Sequence, residues 1–379
     1  MIYLDHAATT PIYPEVKEAM LPFLGEHYGN PSSMHGIGRR ARQGVDRARD
    51  QVAGALHGSP GELIFTSGGT EADNLALLGM ASTLREQGKT HFITSQVEHH
   101  AVLGPCSYLE KLGFQVTYLS VDQTGQVSIE ELQEVITGKT GLISIIYGNN
   151  EVGTIQPIQE IGRIARERGI YFHTDAVQVF GVLPIDVRSL PVDLLTISGH
   201  KFGAPKGVGA LYVARHVPLK SHLFGGKQEW NRRGGTENVA GIVGMGKAAE
   251  IVSEKMESFQ QNVLACREAM IKVWEKASLD FVINGHQEKL LPHILNVSFP
   301  GLETETLLMN LDLEGVACSS GSACTSGTLE ISHVLKAMQL PEPVSRSAVR
   351  FSFGWNTSVE DAAEAAKRLV NIVKRLQER

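Results

Sequence analysis

The chain has 379 residues, 42% of them hydrophobic and 20% charged, with a formal net charge of −6. That length and balance suit a large domain plus a smaller one, each able to bury a core. The acidic balance argues against nucleic-acid binding, no apolar run is long enough to span a bilayer, and Met1-Ile2-Tyr3-Leu4-Asp5-His6 lacks the basic start and apolar stretch of a signal peptide, so a cytoplasmic protein is expected.

In chain order, Leu63-Ile64-Phe65-Thr66 predicts a strand and 71–87 a helix stopped by Gly88. Strands at 92–94 and 116–119 flank a helix at 101–112; strands at 142–147, 170–173, 194–197 and 210–213 follow, with a helix at 158–168 among them. This alternation predicts an α/β fold with a mostly parallel sheet and helices on its faces. Leu142-Ile143-Ser144-Ile145-Ile146 is apolar enough for a strand buried on both sides. One long helix is expected over 240–276, with Val252, Met256, Phe259 and Val263 on one face. Strands at 294–297 and 349–353 come next. A closing helix opens on the capping box Ser358-Val359-Glu360-Asp361, with Ala362, Ala365, Leu369, Ile372 and Leu376 as its apolar stripe. The expected division is a large domain of 14–256 and a small one formed by 1–13 with 257–379.

Two segments carry the chemistry. Ser198-Gly199-His200-Lys201 follows one strand, and Asp175-Ala176-Val177-Gln178 follows another, at the strand ends where ligands bind in open α/β sheets. A lysine amine and a carboxylate are what pyridoxal phosphate needs, one for its aldehyde and one for its ring nitrogen. Thr66-Ser67-Gly68-Gly69-Thr70-Glu71, between a strand and a helix, suits a phosphate, though taken alone a tight turn with Thr70 as N-cap is the better reading. Taken singly, Asp175 could be the N-cap of a following helix, His99 and His100 loop residues, Asn149 and Asn150 a turn, and Arg350 an exposed strand arginine rather than a carboxylate clamp. Of the four cysteines, Cys106, Cys266, Cys318 and Cys324, none forms a Cys-x-x-Cys pair, so neither a metal site nor a disulfide framework is expected. The Ser/Gly loop of about 318–328 around Cys324 fits a reactive thiol on a swinging segment better than an idle linker.

Together these segments resemble the cysteine desulfurases of the NifS/IscS type, fold type I (aspartate-aminotransferase-like) pyridoxal phosphate enzymes. The likeness runs from Tyr3-Leu4-Asp5-His6-Ala7-Ala8-Thr9-Thr10-Pro11 through Glu98-His99-His100-Ala101-Val102-Leu103, Asn149-Asn150-Glu151-Val152-Gly153 and Gly234-Gly235-Thr236-Glu237-Asn238 to Val349-Arg350-Phe351-Ser352. The resemblance implies that Lys201 bonds to the cofactor aldehyde, His99 stacks on the ring, and Asp175 pairs with the ring nitrogen. Gln178 and Asn150 lie near the ring hydroxyl. Gly69, Thr70, Ser198 and His200 hold the phosphate, and Thr236 reaches the phosphate of the partner subunit. Arg350 and Asn150 take the substrate carboxylate, and Cys324 becomes a persulfide. It further implies a homodimer acting on L-cysteine and passing sulfur to an acceptor protein, an iron–sulfur scaffold or a tRNA-thiolating enzyme. A selenocysteine lyase, an aminotransferase, or an inactive sulfur-trafficking or regulatory homologue are the competing readings. Trp230-Asn231-Arg232-Arg233 is an unusual composition that could alter the dimer or substrate edge.

Overall fold

The computed structural model describes residues 1–321 and 331–378. The chain opens with strand β1 (Ile2–Tyr3) and helices α1 (Pro14–Leu24) and α2 (Gly36–Ala55). Strands β2 (Leu63–Thr66), β3 (His91–Ser95), β4 (Gln115–Leu119), β5 (Thr140–Ser144), β6 (Tyr171–Asp175), β7 (Leu194–Ser198) and β8 (Gly209–Val213) then form one sheet in the order β2-β8-β7-β6-β5-β3-β4. The run β7-β6-β5-β3-β4 is parallel, and β8 lies antiparallel to both β7 and β2. Helices α3 (Gly69–Glu86), α4 (His100–Lys111), α5 (Ile129–Val135) and α6 (Ile158–Glu167) connect the strands. β5, β7 and β8 are buried along their whole length, as expected for strands covered on both faces.

Helix α7 (Val239–Lys276) is a 38-residue rod that serves two cores. Its first half contributes Met245, Ala248 and Val252 to the core around the large sheet. Its second half contributes Val263, Cys266, Met270 and Trp274 to a separate core. That second core lies against the antiparallel sheet of β9 (Val282–Asn284), β10 (Ile294–Ser298) and β12 (Ala348–Ser352), in the order β12-β10-β9, with α8 (Thr304–Leu313) and α11 (Val359–Gln377) packed nearby. Trp274 is fully buried, edge-on to Phe281 and Phe299 at 5.6 Å each. Such pairs contribute about 0.5–1.5 kcal/mol apiece beyond burial. β1 pairs in parallel with β11 (Val316–Ala317), which joins the N-terminus to this second core. Short helices α9 (His333–Ala337) and α10 (Glu342–Ser345) complete the described chain.

Three local expectations change. The strand expected over 142–147 ends at Ser144: Ile145 and Tyr147 still donate to the carbonyls of His173 and Asp175, but the Ile146 N–H turns to Glu98 Oε1 and the Ile145 carbonyl takes the Thr174 hydroxyl. Asp175 is the last residue of β6 rather than a helix N-cap, and 177–180 form a turn. The N-cap of α3 is Gly68, not Thr70. Ser358 does cap α11, accepting the Asp361 N–H.

Candidate active site

The C-terminal ends of β6 and β7 open onto a cavity of about 320 Å³ lined by residues from both ends of the chain. Lys201 sits in a short 3₁₀ turn after β7, and its Nζ donates to the carbonyls of Ala7 (2.6 Å) and Ala8 (2.9 Å). Burial, then the positive charge of Arg350, lowers the lysine pKa to about 8, with Asp175 and Asp5 opposing. At neutral pH this amine sheds its proton far more readily than a surface lysine.

Asp175 is buried, and its Oδ1 accepts the Val177 N–H at 2.9 Å. Burial raises its pKa to about 6, while that N–H and Lys201 pull it down. Beside it lies Asp73, which the sequence reading missed. Asp73 is 1% exposed and lines the cavity, and its Oδ1 has no hydrogen-bond partner. Burial and the neighbouring Asp175 push Asp73 well above the carboxylate range, and His173 Nε2 lies 3.5 Å from its Oδ1. The available signal was spacing: Asp73 lies at i+4 from Gly69 and so on the same face of α3. Gln178 donates to the Ala7 carbonyl at 2.9 Å, and its Oε1 lies 3.3 Å from His293 Nε2.

His99 caps α4, with Nδ1 accepting the Ala101 N–H at 3.1 Å. Its surface is open to the cavity, yet the surrounding protein desolvates the ring and, with Lys201, His100 and His333, lowers its pKa to about 4. The neutral ring therefore carries its proton on Nε2. Arg350, on β12, is 3% exposed, which rules out the exposed-strand reading. Its Nη1 donates to the Asn150 carbonyl and its Nη2 to Asp5 Oδ1, both at 2.8 Å, while its buried Nε has no partner. Asn149 makes the turn, accepting the N–H groups of Glu151 and Val152, and leaves Asn150 at the cavity wall.

The cavity suits pyridoxal phosphate. At one end, the 18-residue helix α3 begins at Gly69 without a side-chain cap. A Cβ on Gly69 would lie 3.0 Å from Val177 and 3.3 Å from Ser198, so glycine lets the start of the helix approach the strand ends closely, with its first N–H groups free of a side-chain cap. Thr70, Ser198 and His200 line the same end. An aldehyde-reactive amine and a buried carboxylate face the other lining residues, and Arg350 brings a cationic donor with capacity unspent. Thr236 is exposed and does not line this cavity. Cys324 lies outside the described residues, but Ser319 and Gly321, which lead into its segment, form part of the wall. The other three thiols are ill suited to chemistry: burial raises Cys106 to about 12 and Cys266 to about 11, and pushes Cys318 higher still.

A parallel sheet bearing lysine and aspartate at adjacent strand ends, beside a glycine-opened helix, defines the aminotransferase-like, fold type I class of pyridoxal phosphate enzymes. The class-V aminotransferase family matches residues 2–364. A Dictyoglomus turgidum protein named cysteine desulfurase IscS is 50% identical, covering 99% of this chain and 95% of the relative. A solved structure described as a NifS-like protein superposes with a TM-score of 0.93 at 36% identity, over 99% of each chain. SspA, solved in complex with cysteine, gives a TM-score of 0.82 at 38% identity, over 93% of this chain and 99% of that one. The chain belongs to the class-V aminotransferase family and, within it, to the cysteine desulfurases of the NifS/IscS type.

Proposed function

We propose that this protein is a pyridoxal 5'-phosphate-dependent cysteine desulfurase that takes sulfur from L-cysteine, releases L-alanine and keeps the sulfur as a persulfide on Cys324. The observation that carries the reading is one cavity wall shared by Lys201, Arg350 and Gly321, with Cys324 three residues beyond Gly321. The cysteine seen bound to the similar SspA supports the substrate.

The bound cofactor supplies an aldehyde that condenses with amines and a ring that accepts electrons. Gly69, Thr70, Ser198 and His200 would hold its phosphate, Thr236 would serve the phosphate of the partner subunit, and Gln178 and Asn150 would stand near its hydroxyl. Asp175 would hold a proton on the ring nitrogen, with Asp73, whose carboxyl pKa burial raises, beside it. Arg350 binds the substrate carboxylate with Asn150 beside it, fixing the Cα–H towards Lys201, whose neutral amine takes that proton. His99, on the cavity wall, would lie against the ring and has an Nε2 proton to offer. The Cys324 thiolate attacks the substrate sulfur: an S–S bond forms, the C–S bond breaks, and its electron pair stays on the carbon skeleton, which is protonated and leaves as alanine.

We infer a large domain of 14–256 and a small one of 1–13 plus 257–379; the division of α7 between two cores supports it, although Leu291, Val334 and Leu335 pack into the first core. We place the enzyme in the cytoplasm as a homodimer that hands sulfur to an acceptor protein for iron–sulfur assembly or tRNA thiolation; among the described residues, no helix is long and apolar enough to cross a membrane. The test is alanine and sulfide release from L-cysteine with a reductant. Equal yields from the wild type, lost in Cys324→Ser with the cofactor still bound, are expected. Release that persists in the variant would refute Cys324 as sulfur acceptor and point to a lyase or aminotransferase.

A further inference from the structure

Glu151 is 2% exposed, follows the Asn150 turn, and plays no part in the chemistry above. A buried carboxyl costs several kcal/mol of desolvation unless partners offset it, so its contacts call for explanation. Its backbone is held on two sides: its N–H donates to Asn149 Oδ1 at 2.8 Å, and its carbonyl accepts Asn296 Nδ2 at 3.1 Å. Its side chain meets both ends of the stretch that carries Cys324. Beyond that stretch, the Ser332 hydroxyl accepts the N–H groups of Val334 and Leu335 at the start of α9 and donates its own proton to Glu151 Oε2. Before it, Gly321 adopts φ 90°, and a Cβ there would stand 3.1 Å from Glu151 Cγ, so the carboxyl stem packs on bare backbone.

The same assembly reaches the substrate clamp. Gly321 N–H donates to Ser319 Oγ at 3.0 Å, and the Ser319 backbone exchanges two hydrogen bonds with Arg350, whose side chain holds the Asn150 carbonyl. Burial raises the Glu151 pKa, against the pull of Ser332, Arg350 and His100.

We propose that Glu151 is a positioning residue that fastens both roots of the Cys324 segment to the turn carrying Asn150. This rests on the reading of Cys324 as the sulfur acceptor. Holding both ends of a short segment raises the effective concentration of its thiol at the cavity, and releasing either end lowers it.

The experiment uses the holoenzyme in single turnover with ³⁵S-labelled L-cysteine. It follows label on Cys324 together with the change in cofactor absorbance on cysteine addition. Glu151→Ala should slow labelling about tenfold or more, while the absorbance change keeps its cysteine dependence within about twofold. Glu151→Gln, which still accepts the Ser332 hydroxyl, should recover most of the rate. Ser332→Ala should reproduce the loss with Glu151 in place, and the double variant should be no slower than the worse single one. If Glu151→Ala does not fold, Ser332→Ala decides. Wild-type labelling rates in the variants, or loss of cysteine binding in parallel with labelling, would overturn the proposal. Absence of label on wild-type Cys324 would instead overturn the functional reading, and the proposal with it.

Discussion

The floor of the cavity and its seam are built in different ways. Lys201 and Asp175 stand at the ends of β7 and β6, where the strand ladder pairs Asp175 with Thr196 and backbone hydrogen bonds set the geometry. Arg350, Asn150, Glu151 and Ser332 meet where β12, the turn beyond β5 and the start of α9 converge, held by side-chain hydrogen bonds. A ladder is redundant, since one altered side chain leaves its neighbours paired. A side-chain seam is not, because each contact has one donor and one acceptor. The floor therefore suits the fixed part of the chemistry, and the seam suits substrate capture and presentation of the thiol.

The largest effect should come from the floor. Lys201→Ala should cut alanine release by at least about a thousandfold, since among the described residues no other lysine lines the cavity, while the phosphate end still binds cofactor. In the wild-type apo-protein, the rate of cofactor capture should rise with pH to a midpoint near 8, where the neutral amine becomes half-populated. A midpoint above 10 would mean that the buried environment does not depress the lysine, and the floor would lose its distinction.

At the seam, Arg350→Lys should raise KM for cysteine about ten- to a hundredfold with little change in the bound-cofactor spectrum, because an ammonium cannot span Asp5, Asn150 and a substrate carboxylate as the guanidinium fork does. An equal fall in cofactor affinity would show that seam and floor are one unit.

The smallest effect concerns Glu98, behind His99. It accepts the Ser95 hydroxyl at 2.6 Å and the Ile146 N–H at 2.9 Å, and burial raises its pKa to about 8. The folded protein thus binds a proton at Glu98 more tightly than the unfolded chain does. That stability is fully present below about pH 4.5 and is lost as pH rises to about 8. Glu98→Gln should remove this dependence, so the melting temperature of the wild type should fall relative to the variant between those values. Parallel melting curves would show that Glu98 is ionised throughout.

Much of the floor was legible because its signals are local. The apolar runs placed β7 to within one residue and β6 to within two at its end, and the residues at those ends were short polar motifs of recognisable chemistry. Asp73 escaped because an acid inside a helix reads as a solvated face until the helix is seen to point at the cavity. Helices α1, α2 and α8 escaped as well. α2 has seven buried residues among many arginines, so its stripe of small side chains is weak in sequence and becomes evident only against α7.

By itself the sequence determined the α/β alternation, the long helix and the cap at Ser358, and it named the candidate reactive groups, since each depends on residues within a turn or two of one another. Only the tertiary structure decided which of those groups meet. Arg350 pairs with Asp5 across 345 positions, and Ser332 with Glu151 across 181. No periodicity records contacts at such separations; they form only when two cores, laid along one helix, bring the ends of the chain to the same cavity.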